Sequence, residues 1–252
     1  MLVATDSIVL RSRKQGDTSK IVTLYTRDFG LIDIIAKGAR QQKSKFGAAL
    51  EPFTFSKIVF YKKEHTSLYL LSTAEVISAQ RNLTNDLEHI EAVTQIAELL
   101  IRSQHHEEQH LELFDLVLQT IELLNSTDQP EAVASVVIAF YLRYADLAGF
   151  AIALTGESDE GNIFLDAESG ELFSSNSISS AASQRFIAMS PQMLGSIKFL
   201  KTHSMSEAAN LRMNESSKRG LESLFRAYFG FHIEGMQQNR TKAGRVFASM
   251  KR

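Results

Sequence analysis

The hydrophobic pattern of this chain changes its period close to residue 82. Up to about residue 80, short runs rich in β-branched and aromatic residues are separated by turn residues. Beyond residue 83, apolar residues recur at the spacing of amphipathic helices. Since a helical pattern does not fit a strand, nor the reverse, we predict an α+β multi-domain protein. Its parts are a β-domain over residues 1–80, an α-helical domain over 81–235 and a basic C-terminal tail over 236–252.

The N-terminal region contains five candidate strands, at residues 7–11, 20–26, 31–36, 54–62 and 68–76. Five short strands in one small basic domain fit an OB-fold barrel, which binds oligonucleotides on the face of strands 2 and 3 and on neighbouring loops. Those loops are expected at residues 12–19 and 62–67. An SH3-like barrel would give much the same pattern, so both solutions remain open at this point.

The connection between the third and fourth strands is strongly basic. Residues 37–45 carry four cations and no acid. Cations spaced along a loop suit a polyanion with repeating charges, such as a nucleic-acid backbone, although a solvated connection would have the same composition. The best candidate DNA contacts are Lys37, Arg40, Lys43 and Lys45, and the weaker candidates are Arg11, Arg13, Arg27, Lys62 and Lys63.

Charge is partitioned along the chain although the net charge is only −2. Residues 1–82 carry 13 Lys and Arg against 7 Asp and Glu, and residues 83–180 carry 2 against 18. Residues 181–252 carry 12 against 4. An acidic middle between two basic ends indicates that different surfaces meet different partners.

The helical region has several recognisable helix starts. Asn85 and Glu88 predict a capping box that opens a first helix, and a second helix is predicted from about residue 107 to residue 125. A third begins at Pro130 between two acids, Asp128 and Glu131, and further helices begin at 190–191 and 214–215. Residues 149–180 interrupt the helices with glycines and serines, and 162–166 and 171–174 are predicted to pair as a small hairpin.

Motifs of enzyme chemistry are scarce. His106 to His110 match the pattern H-E-x-x-H, in which two histidines one helical turn apart hold zinc and the glutamate acts as base. The match lies in a polar run where two helices meet, which disfavours a buried metal site. No phosphate-binding loop, dinucleotide fingerprint or nucleophile elbow is present. We therefore expect a protein that is not an enzyme and that needs no cofactor and no metal.

Two further features limit the class of protein. The chain has no cysteine, and no apolar run approaches the roughly 18 residues of a membrane span, so a cytoplasmic protein without a membrane association is expected. Most of the phenylalanines, such as Phe53, Phe60 and Phe225, are predicted to be core residues. Tyr25 or Tyr61 could instead serve as a stacking platform for bases.

Several stretches of the N-terminal region are similar to a known family. Residues 16–26, 36–40, 43–47 and 50–52, together with Gly30, resemble the RecO family of bacterial DNA repair proteins. The resemblance implies an OB-fold followed by a helical domain. It also implies binding of single- and double-stranded DNA, annealing of complementary strands, and a nucleoid-associated location. The implied partners are the acidic C-terminal tail of the single-stranded DNA-binding protein and RecR, with which the family helps to load RecA.

The sequence departs from the family in one respect. Many members carry a zinc module of two Cys-x-x-Cys pairs, whose counterparts here are Glu157, Glu160, Ser174 and Ser177. A thiolate zinc site is therefore excluded. The hairpin is expected to persist as a metal-free, cysteine-free insertion.

Together, these features predict a non-enzymatic DNA-binding recombination mediator. The basic C-terminal third is the better candidate to receive the acidic tail of the single-stranded DNA-binding protein, because the middle of the chain is acidic. The two alternatives are a zinc-dependent hydrolase using His106 and His110, and a pure protein–protein adaptor. The possible contributors to the partner surface are Arg185, Lys198, Lys201, Arg212, Lys218 and Arg219.

Overall fold

A computed structural model describes residues 1–127, 129–154, 163–174 and 185–234. Its first part is a closed five-stranded barrel in the order β1-β2-β3-β5-β4. Strands β3 and β5 run parallel, and the other neighbours that pair are antiparallel. This topology is the OB-fold, so the OB-fold prediction is confirmed. The strands are β1 (Leu2–Gln15), β2 (Ser19–Thr26), β3 (Gly30–Ala36), β4 (Phe55–Tyr61) and β5 (Leu68–Ser78).

Alternate residues of each strand fill the barrel. Val22 and Leu24 of β2 face Ile32 and Ile34 of β3, and all four are buried together with Phe60 of β4. After β3 the chain makes a 3-10 helix, Gly47–Leu50, whose apolar residues belong to the same core as Phe46. The basic connection therefore returns to the barrel core directly after its last cation.

Strand β1 is longer than the sequence indicates. It was predicted to end at residue 11, but residues 11–15 continue as a ribbon that pairs with residues 19–23 of β2. The predicted loop of residues 12–19 is therefore wrong, since only residues 16–18 form the turn. The polar sequence of this ribbon lacks an alternating apolar face, which is why the pattern missed it. Arg13 consequently lies on a strand, and its position is set by the pairing with β2.

The helical part contains α1 (Leu87–Ser103), α2 (Leu111–Ser126), α3 (Pro130–Leu147), α4 (Pro191–Thr202), the short α5 (Met205–Ala208) and α6 (Glu215–His232). Helix α3 is the centre of the bundle and packs against α1, α2, α4 and α6. Its sequence is apolar on nearly every side, as expected for a helix enclosed by others. Among the helices of the described residues, none combines the length and the apolar character needed to cross a lipid bilayer.

Two of the predicted helix starts are wrong. The N-cap of α1 is Asp86, whose carboxylate accepts a hydrogen bond from the backbone N–H of His89, and not Asn85. Helix α2 begins at Leu111, behind the N-cap His110, and not near residue 107. The starts at Pro130, Ser190 and Asn214 are confirmed, with Ser190 and Asn214 accepting bonds from the third residue of their helices. Asp128 lies outside the described residues.

The insertion is a small sheet. Strands β6 (Ile163–Asp166) and β7 (Leu172–Ser174) form the predicted hairpin, and a third strand that the sequence analysis missed, β8 (Phe186–Met189), pairs with the other edge of β6. Of the positions corresponding to the family's zinc ligands, Ser174 ends β7, whereas Glu157, Glu160 and Ser177 lie outside the described residues. Asn162 and the tail 236–252 lie outside them as well.

An ion pair joins the central strand of this sheet, β6, to the residue that precedes β8. The Asp166 carboxylate, on a side chain that is only 2 % exposed, accepts two hydrogen bonds from the Arg185 guanidinium. It also accepts bonds from the backbone N–H of Glu168 and the hydroxyl of Ser169, each at 3.0 Å. The bonds from Arg185, with smaller contributions from the other donors, lower the pKa of Asp166 from 3.8 to about 2. The pair thus connects the start of β8 to the end of β6.

This pair should make the stability of the protein sensitive to acid. Because the folded state holds the pKa of Asp166 below its ordinary value of 3.8, the contribution is complete above that pH and is lost as pH falls toward about 2. Thermal unfolding of the wild type and of Asp166→Asn from about pH 6 to about pH 2 tests this. The advantage of the wild type should shrink as the pH falls. Two melting curves that stay equally far apart across the range would contradict it.

The barrel and the helices are joined by residues 104–110, here called the docking segment, which connects α1 to α2. His106 forms isolated β-bridges with Gly30 and Leu31, and the N–H of Glu107 donates to the carbonyl of Leu31 at 3.0 Å. Gly30 has a φ of +59°, and a Cβ built on it would overlap the carbonyl oxygen of Glu108. The absence of a side chain at Gly30 therefore permits this approach.

Replacing Gly30 by alanine should loosen this junction. Gly16→Ala is the matched control, because its φ of +58° carries the same backbone strain and no atom lies within 4 Å of the added Cβ. We expect Gly16→Ala to lower the free energy of unfolding by about 1 kcal/mol, and Gly30→Ala to lower it by roughly 1–3 kcal/mol more through overpacking. Urea denaturation monitored by circular dichroism measures both losses. Equal losses would mean that the close contact with Glu108 does not constrain the fold.

Candidate nucleic-acid interface

The basic connection after β3 is a chain of tight turns. The N–H of Gln41 donates to the carbonyl of Gly38 at 3.1 Å, and the N–H of Ser44 donates to the carbonyl of Gln41 at 3.0 Å. Gly38 has a φ of +75°, a conformation that favours glycine. At the end of the connection, Phe46 is buried in the barrel core. Both ends are therefore fixed while the middle faces solvent.

Arg40 holds the connection against the β1–β2 turn. Its Nη1 donates to the carbonyls of Gly16 and Asp17 at 2.9 and 3.0 Å, and its backbone N–H donates to the carbonyl of Thr18 at 2.9 Å. Of the four best candidates, this one has a structural role that the sequence analysis missed. It brings the basic connection beside the end of the long β1–β2 ribbon.

The other cations of the connection point to solvent. Lys37 and Lys43 are exposed and make no hydrogen bond or ion pair with any of the described residues. Lys45 is exposed too, with its ammonium 5.1 Å from the ring centre of Phe46. Arg11 and Arg13 on β1, and Lys63 after β4, are likewise exposed and without a partner in the described part of the chain.

Two of the weaker candidates are engaged in the domain junction. Arg27 forms an ion pair with Asp115 of α2 at 3.0 Å and lies 5.5 Å from the ring centre of Phe114. Lys62 forms an ion pair with Glu107 of the docking segment at 3.0 Å. Sequence reasoning counted both with the free cations, because the acids that neutralise them lie more than 40 residues away along the chain.

Glu107 is the centre of a small network between the barrel and the docking segment. It accepts hydrogen bonds from the Tyr69 hydroxyl and the Lys62 ammonium, which lower the pKa of its carboxyl. Burial, together with the bond to Glu107, raises the pKa of Tyr69 to about 12. The network ties β4 and β5 of the barrel to the docking segment, a role that no short sequence pattern signals.

The zincin pattern is not realised as a helix. His106 belongs to the β-bridge with the barrel, Glu107 has a φ of +63°, and His110 is the N-cap of α2, accepting a bond from Leu113 N–H at 3.2 Å. The two histidines therefore do not lie one helical turn apart, which is the arrangement that the hydrolase alternative requires. Within the described ranges, no group of three or more His, Asp or Glu side chains is arranged to hold a metal ion.

The aromatic residues proposed as core residues or as stacking platforms differ in their exposure to solvent. Tyr25 is 0 % exposed and stacks on Phe114 of α2 with ring centres 6.1 Å apart, so it cannot serve as a platform for bases. Phe53, Phe60 and Phe225 are buried, which confirms that they are core residues. Tyr61 is 44 % exposed at the end of β4 and remains a candidate platform.

Three of the six candidate cations in the C-terminal third have hydrogen-bond or ion-pair partners among the described residues. Arg185 binds Asp166 and Glu168, and Lys201 lies 2.8 Å from Asp146 and donates to the carbonyl of Ile152 at 3.0 Å. Arg212 donates to the carbonyl of Ala209 and to Gln129.

The remaining three candidates in this third differ in exposure. Lys218 is half-buried in a groove that Glu88, Glu91 and Glu222 also line. Arg219 is highly exposed and lies 3.6 Å from Glu215. Lys198 of α4 is exposed, and its ammonium has no partner among the described residues. The six candidates therefore do not form one uniformly available basic surface.

The fold and the site define a class of protein, namely an OB-fold barrel with a cationic connection, followed by a helical bundle that contacts the barrel through the docking segment. Two models of one protein family together match nearly the whole chain. Residues 1–80 match "Recombination protein O N terminal" and residues 84–241 match "Recombination protein O C terminal". The chain belongs to the recombination protein O family of DNA repair proteins.

Curated relatives named DNA repair protein RecO are similar to this chain, two of them over more than nine tenths of its length and a third over about three fifths. The protein from Chloroherpeton thalassium is 28 % identical over 96 % of this chain and 97 % of its own length. That of Prosthecochloris aestuarii is 29 % identical over 93 % of both chains. That of Chlorobaculum parvum is 36 % identical over 61 % of this chain and 58 % of its own. The resemblance inferred from the sequence is thereby confirmed.

Proposed function

We propose that this protein is a recombination mediator that binds single- and double-stranded DNA through its barrel and anneals complementary strands. The observation that carries the proposal is the set of exposed cations without partners on the barrel, above all Lys37 and Lys43 on a connection whose ends are fixed. Because the two ends of the connection are fixed, fewer of its backbone angles have to be immobilised when DNA binds. This lowers the conformational entropy lost on binding. Membership of the recombination protein O family supports the same role.

The binding is expected to be electrostatic and indifferent to sequence. Lysines and arginines that contact phosphates release counterions and carry no direct information about bases. Arg11, Arg13, Lys43 and Lys63 are exposed on separate parts of the barrel, so the backbone of a strand can meet several of them in turn. Arg40 holds the basic connection beside the β1–β2 ribbon that carries Arg11 and Arg13.

The proposal extends to partners. We infer that the protein acts with the single-stranded DNA-binding protein and RecR to help load RecA. The acidic tail of the single-stranded DNA-binding protein is assigned to the C-terminal third. Within that third, we favour Lys198, whose ammonium has no partner among the described residues, and Arg219, whose only ion pair there is the highly exposed one with Glu215. The side chains of Arg185, Lys201 and Arg212 have less exposed partners in the chain.

A strand-annealing assay tests the proposal most broadly. The protein should accelerate pairing of complementary oligonucleotides, both free and coated with the single-stranded DNA-binding protein. A pure protein–protein adaptor, the alternative from another class, would bind no DNA even at low salt. A protein that binds neither DNA nor the coated strand would overturn the proposal.

Removing the two unpaired lysines should reduce the salt dependence of DNA binding. Each phosphate neutralised on a single strand contributes about −0.7 to the log–log slope of affinity against salt, so Lys37→Ala with Lys43→Ala should make the slope shallower by about 1.4. Stability should change by no more than about 0.5 kcal/mol, since both side chains are exposed. Titrations of a labelled oligonucleotide at four salt concentrations measure the slope.

The control for this titration is Lys198→Ala, which removes an exposed lysine without a partner from the helical region. Its slope should equal that of the wild type. If the double variant keeps the wild-type slope while remaining folded by circular dichroism, the basic connection is only a solvated loop and the DNA contacts lie elsewhere.

The partner surface should respond to the opposite set of substitutions. Lys198→Ala with Arg219→Ala should weaken binding of a peptide copying the acidic tail of the single-stranded DNA-binding protein. The affinity of the wild type should fall as salt rises, because the charges are exposed. The variant lacking Lys37 and Lys43 serves as control and should bind the peptide normally. Loss of peptide binding in the control alone would move the partner site to the barrel.

A further inference from the structure

A cleft of about 450 Å³, here called the helix-end cleft, lies where the docking segment meets the ends of three helices. Helices α1, α3 and α6 end at Ser103, Leu147 and His232, and each of these residues lines the cleft. Its volume falls within the range of about 300–1,000 Å³ that is typical of small-molecule sites, which often lie between domains. The cations proposed above for DNA and partner binding, all of them described residues, do not line it.

The charges around the cleft favour a cation. The C-terminal end of a helix carries roughly half a negative charge and the N-terminal end the opposite. Three helices end at the cleft, whereas of the described helices only α2, behind its N-cap His110, begins there. Glu108 and Glu234 add two exposed carboxylates that have no ion-pair partner among the described residues. Arg102 also lines the cleft, but its side chain is already engaged within the protein.

His232 offers a hydrogen-bond acceptor to the cleft. Its Nε2 is buried and has no hydrogen-bond partner among the described residues. Burial lowers the pKa of the ring, which keeps it neutral near pH 7, although the hydrogen bond to the backbone of Ala167 opposes this shift. Because Nε2 has no partner, that bond is made by Nδ1, and Nε2 of the neutral ring carries a lone pair. A buried acceptor without a partner favours a ligand that donates an N–H.

Apolar groups complete the lining. They include the side chains of Leu113, Leu147 and Ile233. The ring of Phe150 belongs to it as well and stacks on His232 with ring centres 4.4 Å apart. An alkyl chain gains free energy when it leaves water to cover such groups. The cleft therefore combines acceptors for a cation with a surface for methylene groups.

We propose that the helix-end cleft binds an aliphatic diamine or polyamine, whose ammonium groups pair with Glu108 and Glu234 and donate to Nε2 of His232. The alkyl chain between the ammonium groups lies on the apolar lining. The proposal is independent of the DNA-binding function. Since Glu108 belongs to the docking segment and Glu234 follows α6, a bound diamine links the helical bundle to the segment that contacts the barrel.

Other ligands fit the cleft less well. An anion would meet both carboxylates and three negative helix ends. For a metal ion, no group of three or more His, Asp or Glu side chains is suitably arranged within the described ranges. A lysine side chain from a partner protein brings one ammonium and can neutralise only one of the two carboxylates. Two acids on separate segments thus favour a ligand with two amino groups.

Isothermal titration calorimetry of the full chain, without DNA, tests the proposal. Putrescine should bind saturably with one molecule per chain, and its affinity should fall as salt rises, because the carboxylates are exposed. Butylamine has the same four carbons and a single amino group. It should bind roughly 1.5- to 5-fold more weakly, the range expected for loss of one exposed ion pair.

Substitutions separate the two kinds of contact. His232→Phe keeps a ring that can stack on Phe150 and removes the acceptor, so it should weaken putrescine binding by about 10-fold or more. Glu234→Gln should weaken it by roughly 1.5- to 5-fold and remove most of the preference for putrescine over butylamine. Glu171→Gln is the matched control, because Glu171 is an exposed acid outside the cleft, and it should bind like the wild type.

The inference is overturned if putrescine shows no saturable binding to the wild type. Equal weakening by Glu171→Gln and Glu234→Gln would also overturn it, because binding would then follow the general acidity of the chain. Butylamine or a lysine-containing peptide that binds as tightly as putrescine would assign the cleft to a lysine side chain instead. Circular dichroism checks the folding of each variant. Should His232→Phe fail to fold, Glu234→Gln, a change at an exposed side chain, decides the question alone.

Discussion

The contact between Gly30 and the docking segment fixes where the helical bundle sits on the barrel. Only a residue without a side chain admits the carbonyl of Glu108 at this position, and the φ of +59° adds a second reason for glycine. Around this contact, Tyr25 stacks on Phe114, and Arg27 pairs with Asp115. The junction is thus apolar at its centre and ionic at its edge, an arrangement that gives both burial and a defined orientation.

This junction divides the cations of the barrel into two groups. Arg27 and Lys62 are neutralised by acids of the helical region, so the acidic middle of the chain has a structural use. Lys37, Lys43 and Lys63 remain exposed without partners in the described residues. Since the helices cover one part of the barrel and leave the basic connection uncovered, the fold itself selects which cations are available to a ligand. Net charge alone, at −2, would have concealed this division.

Much of the fold could be predicted from local pattern. The change of period located the transition from strands to helices, and Ser190 and Asn214 marked helix starts through a side chain that caps the backbone. The prediction failed where a structure depends on distant residues. The polar ribbon of residues 11–15 is held by β2, and β8 is held by β6. Asp86 outcompetes the adjacent Asn85 as N-cap, a difference of one residue that propensity cannot decide.

The candidate site was predictable in composition but not in detail. Cations without acids in residues 37–45 identified the basic connection, whereas the structural role of Arg40 depends on carbonyls of another turn. The H-E-x-x-H pattern illustrates the same limit. The residues of the pattern are present, but the Glu107 carboxylate binds the Lys62 ammonium and the Tyr69 hydroxyl across the junction.

The central claim is that DNA meets the exposed lysines of the barrel while the paired cations hold the two parts of the protein together. Lysine footprinting of the full chain with an amine-reactive reagent and mass spectrometry, with and without an oligo-dT strand, tests it most directly. DNA should protect Lys37, Lys43 and Lys63, and should leave the reactivity of Lys62 and Lys198 unchanged. Protection of Lys198 and Lys218, with Lys37 and Lys43 as reactive as in the free protein, would contradict the account.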